Sequence, residues 1–237
     1  MIPAEVIRHT ALTPEIHQLW LQPEAEFPFN AGDYLTLGFE AGDEKAAKDF
    51  HRFKPLSIAN APDTTQQKQP LELHIRLNKN QDADQAWMDK VAQLQPGDHV
   101  WIDGPFAQYH LAPDLKQPVI LIAGGTGFSP MKALLEQLIK QGDTQPIDFY
   151  WGAKTADELY LHDWITDQAA QQANLTYHPV LSNEQKTGYA HGLVHKVVLQ
   201  DFPNLSGKKV YICGPWVMQE AAKNDFLQAG LAASDFN

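Results

Sequence analysis

Three short segments carry residue types and spacings suited to a phosphorylated, ring-bearing ligand. The first runs Val119-Ile120-Leu121-Ile122-Ala123-Gly124-Gly125-Thr126-Gly127-Phe128-Ser129-Pro130: an apolar run, a glycine-rich turn, and the opening of an amphipathic pattern. Glycines allow close backbone approach to a diphosphate, and the N–H groups that open the following helix meet its charge with a favourable dipole. Ser129 reads as the N-cap of that helix and Pro130 as its first residue. No Gly-Lys-Ser/Thr follows, which excludes a Walker loop, and Pro130 stands where the G-x-G-x-x-G fingerprint has its third glycine. A tight strand-to-helix turn without a ligand is the plainer alternative.

The second segment is Tyr150-Trp151-Gly152-Ala153-Lys154-Thr155, at the end of the next strand, where open α/β sheets bind ligands. Nothing acidic ends this strand, so Lys154, Thr155 and Asp157 are left to read an adenosine ribose. Lys154 suits a 2′-phosphate, although an exposed, solvated lysine explains it better. The third is Tyr211-Ile212-Cys213-Gly214-Pro215, again a strand end that opens a helix, with room for a flat ring beside Gly214 and Pro215. Taken alone, Cys213 reads as a small buried hydrophobe rather than a nucleophile. The ten histidines are assigned to no metal site.

The elements that must position these loops follow from hydropathy. Val119-Ala123, Ile147-Trp151, Leu175-Leu181 and Lys209-Cys213 are nearly continuous apolar runs, as buried parallel strands require. Helices are expected between them. Met131, Leu134, Leu135, Leu138 and Ile139 keep the i, i+3, i+4, i+7, i+8 spacing, with Gly142 as a stop. Further helices are expected over about Asp157-Gln172, His191-Phe202 and Trp216-Ala229. Before about Pro113 the grammar differs, with short β-rich runs at Glu15-Gln22, Asp33-Phe39, Pro55-Asn60, Leu71-Asn78 and His99-Asp103 between turn clusters. One helical insert is expected from Asp82 to Leu94. The fold class is therefore an N-terminal antiparallel β-barrel, residues 1–113, followed by a doubly wound parallel-sheet α/β nucleotide-binding domain, residues 118–237.

Composition narrows the function. Eighteen basic against 29 acidic residues leave a net charge of −11 with no basic cluster, which disfavours nucleic acid and anionic membrane as partners. One cysteine excludes an internal disulfide and a plant-type iron–sulfur cluster, which takes about four thiolates. No apolar stretch approaches the ~18 residues of a membrane helix, and the first residues lack a signal peptide's charged and apolar regions. A mature cytoplasmic protein is the expectation.

Taken in this order, the three loops resemble the ferredoxin–NADP reductase superfamily, most closely its NAD(P)H:flavin oxidoreductase branch. The resemblance spans essentially the whole chain and rests on Gly-Gly-Thr-Gly-Phe-Ser-Pro at 124–130 together with Cys-Gly-Pro at 213–215. It implies that Gly124, Gly125, Thr126, Gly127, Ser129, Pro130, Gly152, Lys154, Cys213, Gly214 and Pro215 bind NADH or NADPH. It also implies that Lys54-Pro55-Leu56-Ser57 matches the family's Arg-x-Tyr-Ser flavin segment. Ser57 would then hydrogen-bond flavin N5 and assist hydride transfer. Lys54 stands where the arginine contacts a flavin phosphate or ribityl chain, with Arg52 as a compensating cation. Leu56 replaces the aromatic residue on the ring, and His74, Ile75 and Arg76 present backbone groups to the pyrimidine edge.

Where relatives with resident FAD have a glycine/serine motif, this chain has Asn78-Lys79-Asn80-Gln81-Asp82-Ala83-Asp84, whose carboxylates would repel a diphosphate. The family's terminal aromatic strand is also expected to be missing, since the sequence ends Ser234-Asp235-Phe236-Asn237. These features imply a reductase that takes riboflavin, FMN or FAD weakly or as a substrate. The alternatives are an FAD-containing reductase that passes electrons to a ferredoxin, flavodoxin or monooxygenase partner, and an inactive NAD(P)H-sensing subunit.

Overall fold

A computed structural model describes residues 1–41, 52–63, 65–66, 68–77, 84–112 and 115–237. The chain divides into two compact units: Met1–His110 with Lys132–Leu134, and Leu111–Met131 with Leu135–Asn237.

The first unit is an antiparallel sheet built from β1 (Ile2–Ala11), β2 (Ile16–Pro23), β3 (Tyr34–Gly38), β4 (Lys54–Ser57), β5 (Leu71–Arg76) and β6 (His99–Phe106). Its order is β4-β3-β6-β1-β2-β5. A bridge between Ile58 and Leu73 joins the two edge strands and curls the sheet into a barrel. Alternating residues fill the interior, among them Leu19, Leu21, Leu35, Leu37, Leu73 and Ile102, none of them accessible to solvent. Helix α1 (Gln85–Gln93) covers one end of this core with Trp87 and Val91.

Strand β1 has no counterpart among the expected strands. Its register against β2 shifts between Val6 and Arg8, and this bulge turns Ile7 outward at 41% exposure. The extra residue breaks the period-2 pattern by which a strand is read from sequence.

The second unit contains β7 (Val119–Gly124), a 3-10 turn at Gly125–Gly127, α2 (Phe128–Gln141) apart from its Lys132–Leu134 segment, which belongs to the first unit, β8 (Ile147–Ala153), α3 (His162–Gln171), β9 (Leu175–Leu181), β10 (Ala190–His191), α4 (Val194–Asp201), β11 (Lys209–Cys213) and α5 (Trp216–Gln228). All five strands are parallel, in the order β10-β9-β8-β7-β11. The chain winds outward from β7 to β10 and then returns to set β11 on the other flank of β7. The strand order therefore reverses between β7 and β11, a topological switch point.

Three expected boundaries change. The helix expected from Asp157 is a 3-10 turn at Ala156–Glu158 with α3 starting only at His162. The helix expected from His191 starts at Val194, because Ala190 and His191 pair with Val180 and Leu181 as an edge strand. This also separates His191 from His195, whose four-residue spacing would suit a metal on a helix. His191 bonds the Glu184 carbonyl, whereas His195 turns to Asp225. Finally, the C-terminus is not bare beside the sheet. Phe236 bridges Val210 in parallel, and Asn237 exchanges backbone hydrogen bonds with Val210 and Ile212 at 3.0 and 2.9 Å.

Candidate functional site

The glycine-rich turn leaves β7 and the Cys213-Gly214-Pro215 loop leaves β11, so both lie at the switch point. They are packed against each other. A Cβ on Gly127 would sit 2.1 Å from the Cys213 carbonyl oxygen, so at this position glycine is required by loop-on-loop contact. Gly125 has φ 55°, in the left-handed region that favours glycine. Its carbonyl accepts a 3.0 Å hydrogen bond from the Trp151 indole. Phe128 stacks on Trp151 with ring centroids 3.8 Å apart. The aromatic pair that holds the turn was not singled out from sequence; its signal was an aromatic residue directly after the turn and another at the end of β8.

Ser129 is not the N-cap. That position belongs to Gly127, no side chain caps the helix, and Ser129 lies inside the first turn. Pro130 is tolerated there because first-turn residues have no intrahelical acceptor for an N–H. The Ser129 hydroxyl is buried without a hydrogen-bond partner among the described residues. A fourteen-residue helix that opens uncapped, with an orphaned hydroxyl in its first turn, fits an anionic ligand such as a dinucleotide diphosphate.

At the end of β8, Gly152 is half-buried and Lys154 is exposed. Acid does reach this strand end, although none is adjacent in sequence. Glu158 accepts from the Lys154 N–H at 3.2 Å, and Glu184 from the Ala156 N–H at 2.8 Å. Cys213 is half-buried.

In the barrel, β4 is an edge strand paired with β3, Ser57 opposite Tyr34 and Lys54 opposite Leu37. Leu56 packs against the barrel core, which limits what it can offer a ring. Strand alternation sends the Ser57 side chain to the other face. Ser57 is half-buried, and its hydroxyl has no hydrogen-bond partner among the described residues. Lys54 is not a free cation, because its ammonium pairs with the Asp84 carboxylate at the start of α1. Arg52 likewise meets Glu40 at 3.0 Å instead of standing beside Lys54 as a second phosphate contact. Asn78–Ala83, read above as the place of the diphosphate motif, lies outside the described residues.

On β5, Glu72 gives its carbonyl to Ala59 and its N–H to Asn60. Alternation then puts the Arg76 backbone groups on that same edge, beyond the Ile58–Leu73 bridge. The His74 side chain points into the structure, fully buried, with Nε2 2.9 Å from Glu72. Glu72 also meets Lys132 at 2.7 Å and accepts from Gln18 at 2.6 Å.

Burial alone would push the Glu72 carboxyl up, but the His74 hydrogen bond and the Lys132 charge outweigh it and hold the group at about 2, below its ordinary 4.5. Its contribution to stability is whole above pH 4.5 and is lost as pH falls from there toward 2, because the unfolded chain takes up the proton first. Urea midpoints at pH 6 and pH 3 test this. Wild type should lose roughly 2 kcal/mol more than Glu72→Gln over that interval, and parallel losses would refute the assignment.

An antiparallel barrel followed by a five-stranded parallel sheet, with a glycine-rich turn and a Cys-Gly-Pro loop at the switch point, is the fold of the ferredoxin–NADP reductase type. The oxidoreductase NAD-binding domain model matches residues 121–224. A probable flavin reductase of Vibrio harveyi is 33% identical over 217 residues, covering 91% of this chain and 88% of that protein. The reductase component of phenol 2-monooxygenase from Pseudomonas sp. (strain CF600) is 31% identical over 229 residues, covering 94% of this chain but 61% of that protein. Among solved structures, the Amycolatopsis cytochrome P450 reductase GcoB superposes with a TM-score of 0.85 at 24% identity, over 100% of this chain and 68% of its own. The chain belongs to the flavin reductase family. Among the described residues no helix is long and apolar enough to cross a membrane.

Proposed function

We propose that this protein is an NAD(P)H:flavin oxidoreductase that takes flavin weakly or as a substrate. The barrel, residues 1–113, holds the flavin, and the α/β domain, residues 118–237, holds the dinucleotide. The dinucleotide supplies a hydride and the flavin accepts it, so the chain's work is binding, orientation and exclusion of water. Gly124–Gly127 and the first turn of α2, with the Ser129 hydroxyl, would receive the diphosphate. Cys213, Gly214 and Pro215 would flank the nicotinamide. The Ser57 hydroxyl and the backbone edge of β5 at His74 and Arg76 would hold the flavin ring, whereas the Ile75 backbone faces β2, opposite His17. A cytoplasmic location, where reduced dinucleotides are made, suits this chemistry.

The observation that carries the weak-flavin reading is the engagement of both expected phosphate cations by carboxylates, Lys54 by Asp84 and Arg52 by Glu40. A flavin phosphate or adenylate would have to displace those pairs, so its extra groups add little contact energy against their cost of ordering. The protein should therefore be isolated largely without flavin and bind riboflavin or FMN at least as well as FAD. Fluorescence quenching on titration with the three flavins measures this. Stoichiometric FAD that survives gel filtration would overturn it in favour of the second reading, a resident-FAD reductase serving a protein acceptor. That reading draws support from the similarity to a monooxygenase reductase component. Protein inert toward NAD(P)H with every flavin would instead point to a sensing subunit.

A further inference from the structure

The group of charges around Glu72 has no part in the function proposed so far, and it is the most deeply buried cluster of charge among the described residues. The Lys132, Glu72 and His74 side chains are 5%, 2% and 0% exposed. Lys132 Nζ donates to Glu72 Oε2 at 2.7 Å and to the Ala59 carbonyl at 3.2 Å. Gln18 Nε2 and His74 Nε2 lie 2.6 and 2.9 Å from Glu72 Oε1.

The position of this cluster in the chain gives it meaning. Ala59 lies two residues beyond Ser57, and Glu72 lies two residues before His74. Around them, the Ala59 N–H donates to the Glu72 carbonyl at 2.8 Å, the Glu72 N–H to Asn60 Oδ1 at 2.8 Å, and Asn60 Nδ2 to the Pro70 carbonyl at 3.1 Å. Among the described residues, the seam that closes the barrel otherwise rests on the bridge between Ile58 and Leu73. Burying ions is a poor way to gain stability, since well-packed apolar groups of the same volume do as well or better. What a buried ammonium adds is direction, because it binds one carbonyl and one carboxylate at fixed distances and so selects one register of the seam.

We propose that Lys132 is a positioning residue for the flavin edge, its ammonium tying the Ala59 carbonyl beyond Ser57 to the Glu72 carboxylate on β5 so that the Ser57 hydroxyl and the β5 edge keep a fixed spacing. The proposal rests on the reading of β4 and β5 as the flavin edge. Glu72 acts as the anionic partner of the clamp, and His74 and Gln18 hold its second oxygen.

The test uses flavin affinity of the purified protein, read by fluorescence quenching with riboflavin, beside its melting temperature without flavin. Lys132→Met strands the buried Glu72 carboxylate and should lower both. Lys132→Met/Glu72→Gln removes that stranded charge and should recover most of the melting temperature while riboflavin affinity stays at least tenfold below wild type. Lys132→Arg, which keeps a donor at the seam, should retain more affinity than Lys132→Met. Ser57→Trp serves as the control, since its bulk should block the edge itself. Wild-type affinity in the double variant, with affinity lost in Ser57→Trp, overturns the clamp and leaves the flavin edge in place. Unchanged affinity in Ser57→Trp overturns the edge, and the clamp with it.

Discussion

Gly127→Ala is expected to weaken NAD(P)H binding ~10²-fold by forcing apart the two loops at the switch point. The added Cβ would sit 2.1 Å from the Cys213 carbonyl oxygen and 2.8 Å from the Gly214 nitrogen. Both contacts are with backbone, so no side chain can rotate away and a loop must move. Overpacking of this kind costs about 3 kcal/mol, the upper end of the usual range. If the cost falls mainly on the geometry that binds dinucleotide, affinity drops ~10²-fold, at 1.4 kcal/mol per tenfold. Gly125→Ala provides the contrast. Its strain comes from φ 55° and should cost only about 1–2 kcal/mol. Thermal melts with NADH titration decide the matter, and a Gly127→Ala protein with wild-type melting temperature and NADH affinity would show that the loops do not meet as described.

Ser57→Ala should reduce turnover at saturating flavin by ~10²-fold while flavin affinity changes little. The reason lies in when the hydrogen bond matters. A hydroxyl beside a ring nitrogen gains strength as charge redistributes there, and an interaction made chiefly in the transition state lowers kcat rather than binding. Ser57 is well placed for such a role, since its side chain faces away from the Leu56 core contact and its hydroxyl is not committed elsewhere among the described residues. Steady-state kinetics with riboflavin, alongside a binding titration, separate the two quantities. Equal losses in affinity with unchanged kcat would reduce Ser57 to a simple contact.

Sequence reading succeeded where a local pattern carried the physics. The apolar runs of β7, β8, β9 and β11 could be recognised because a strand buried on both faces needs no alternation, and α2 because its apolar stripe keeps helical spacing. It failed where a local pattern was interrupted or ambiguous. The bulge at Ile7 hid β1, and Ser129-Pro130 imitated a cap when the helix had already begun at Phe128. Leu-Glu-Leu-His-Ile-Arg at 71–76 has the alternation of a half-exposed strand, yet Glu72 and His74 are buried.

The sequence by itself determined the fold class, the order of the buried parallel strands β7, β8, β9 and β11 and the two loops that open helices at the strand ends, since glycine, proline and apolar periodicity act over a few residues. Only the tertiary structure decided which charges are available. Lys54 and Asp84 are thirty residues apart, and Lys132 is sixty from Glu72. Electrostatic pairing depends on distance in space, and local spacing does not reveal it. The cations that a flavin phosphate would use are thus committed to carboxylates, and a buried ion pair lies at the seam of the barrel, because folding brings distant side chains together and removes the water that would otherwise screen them.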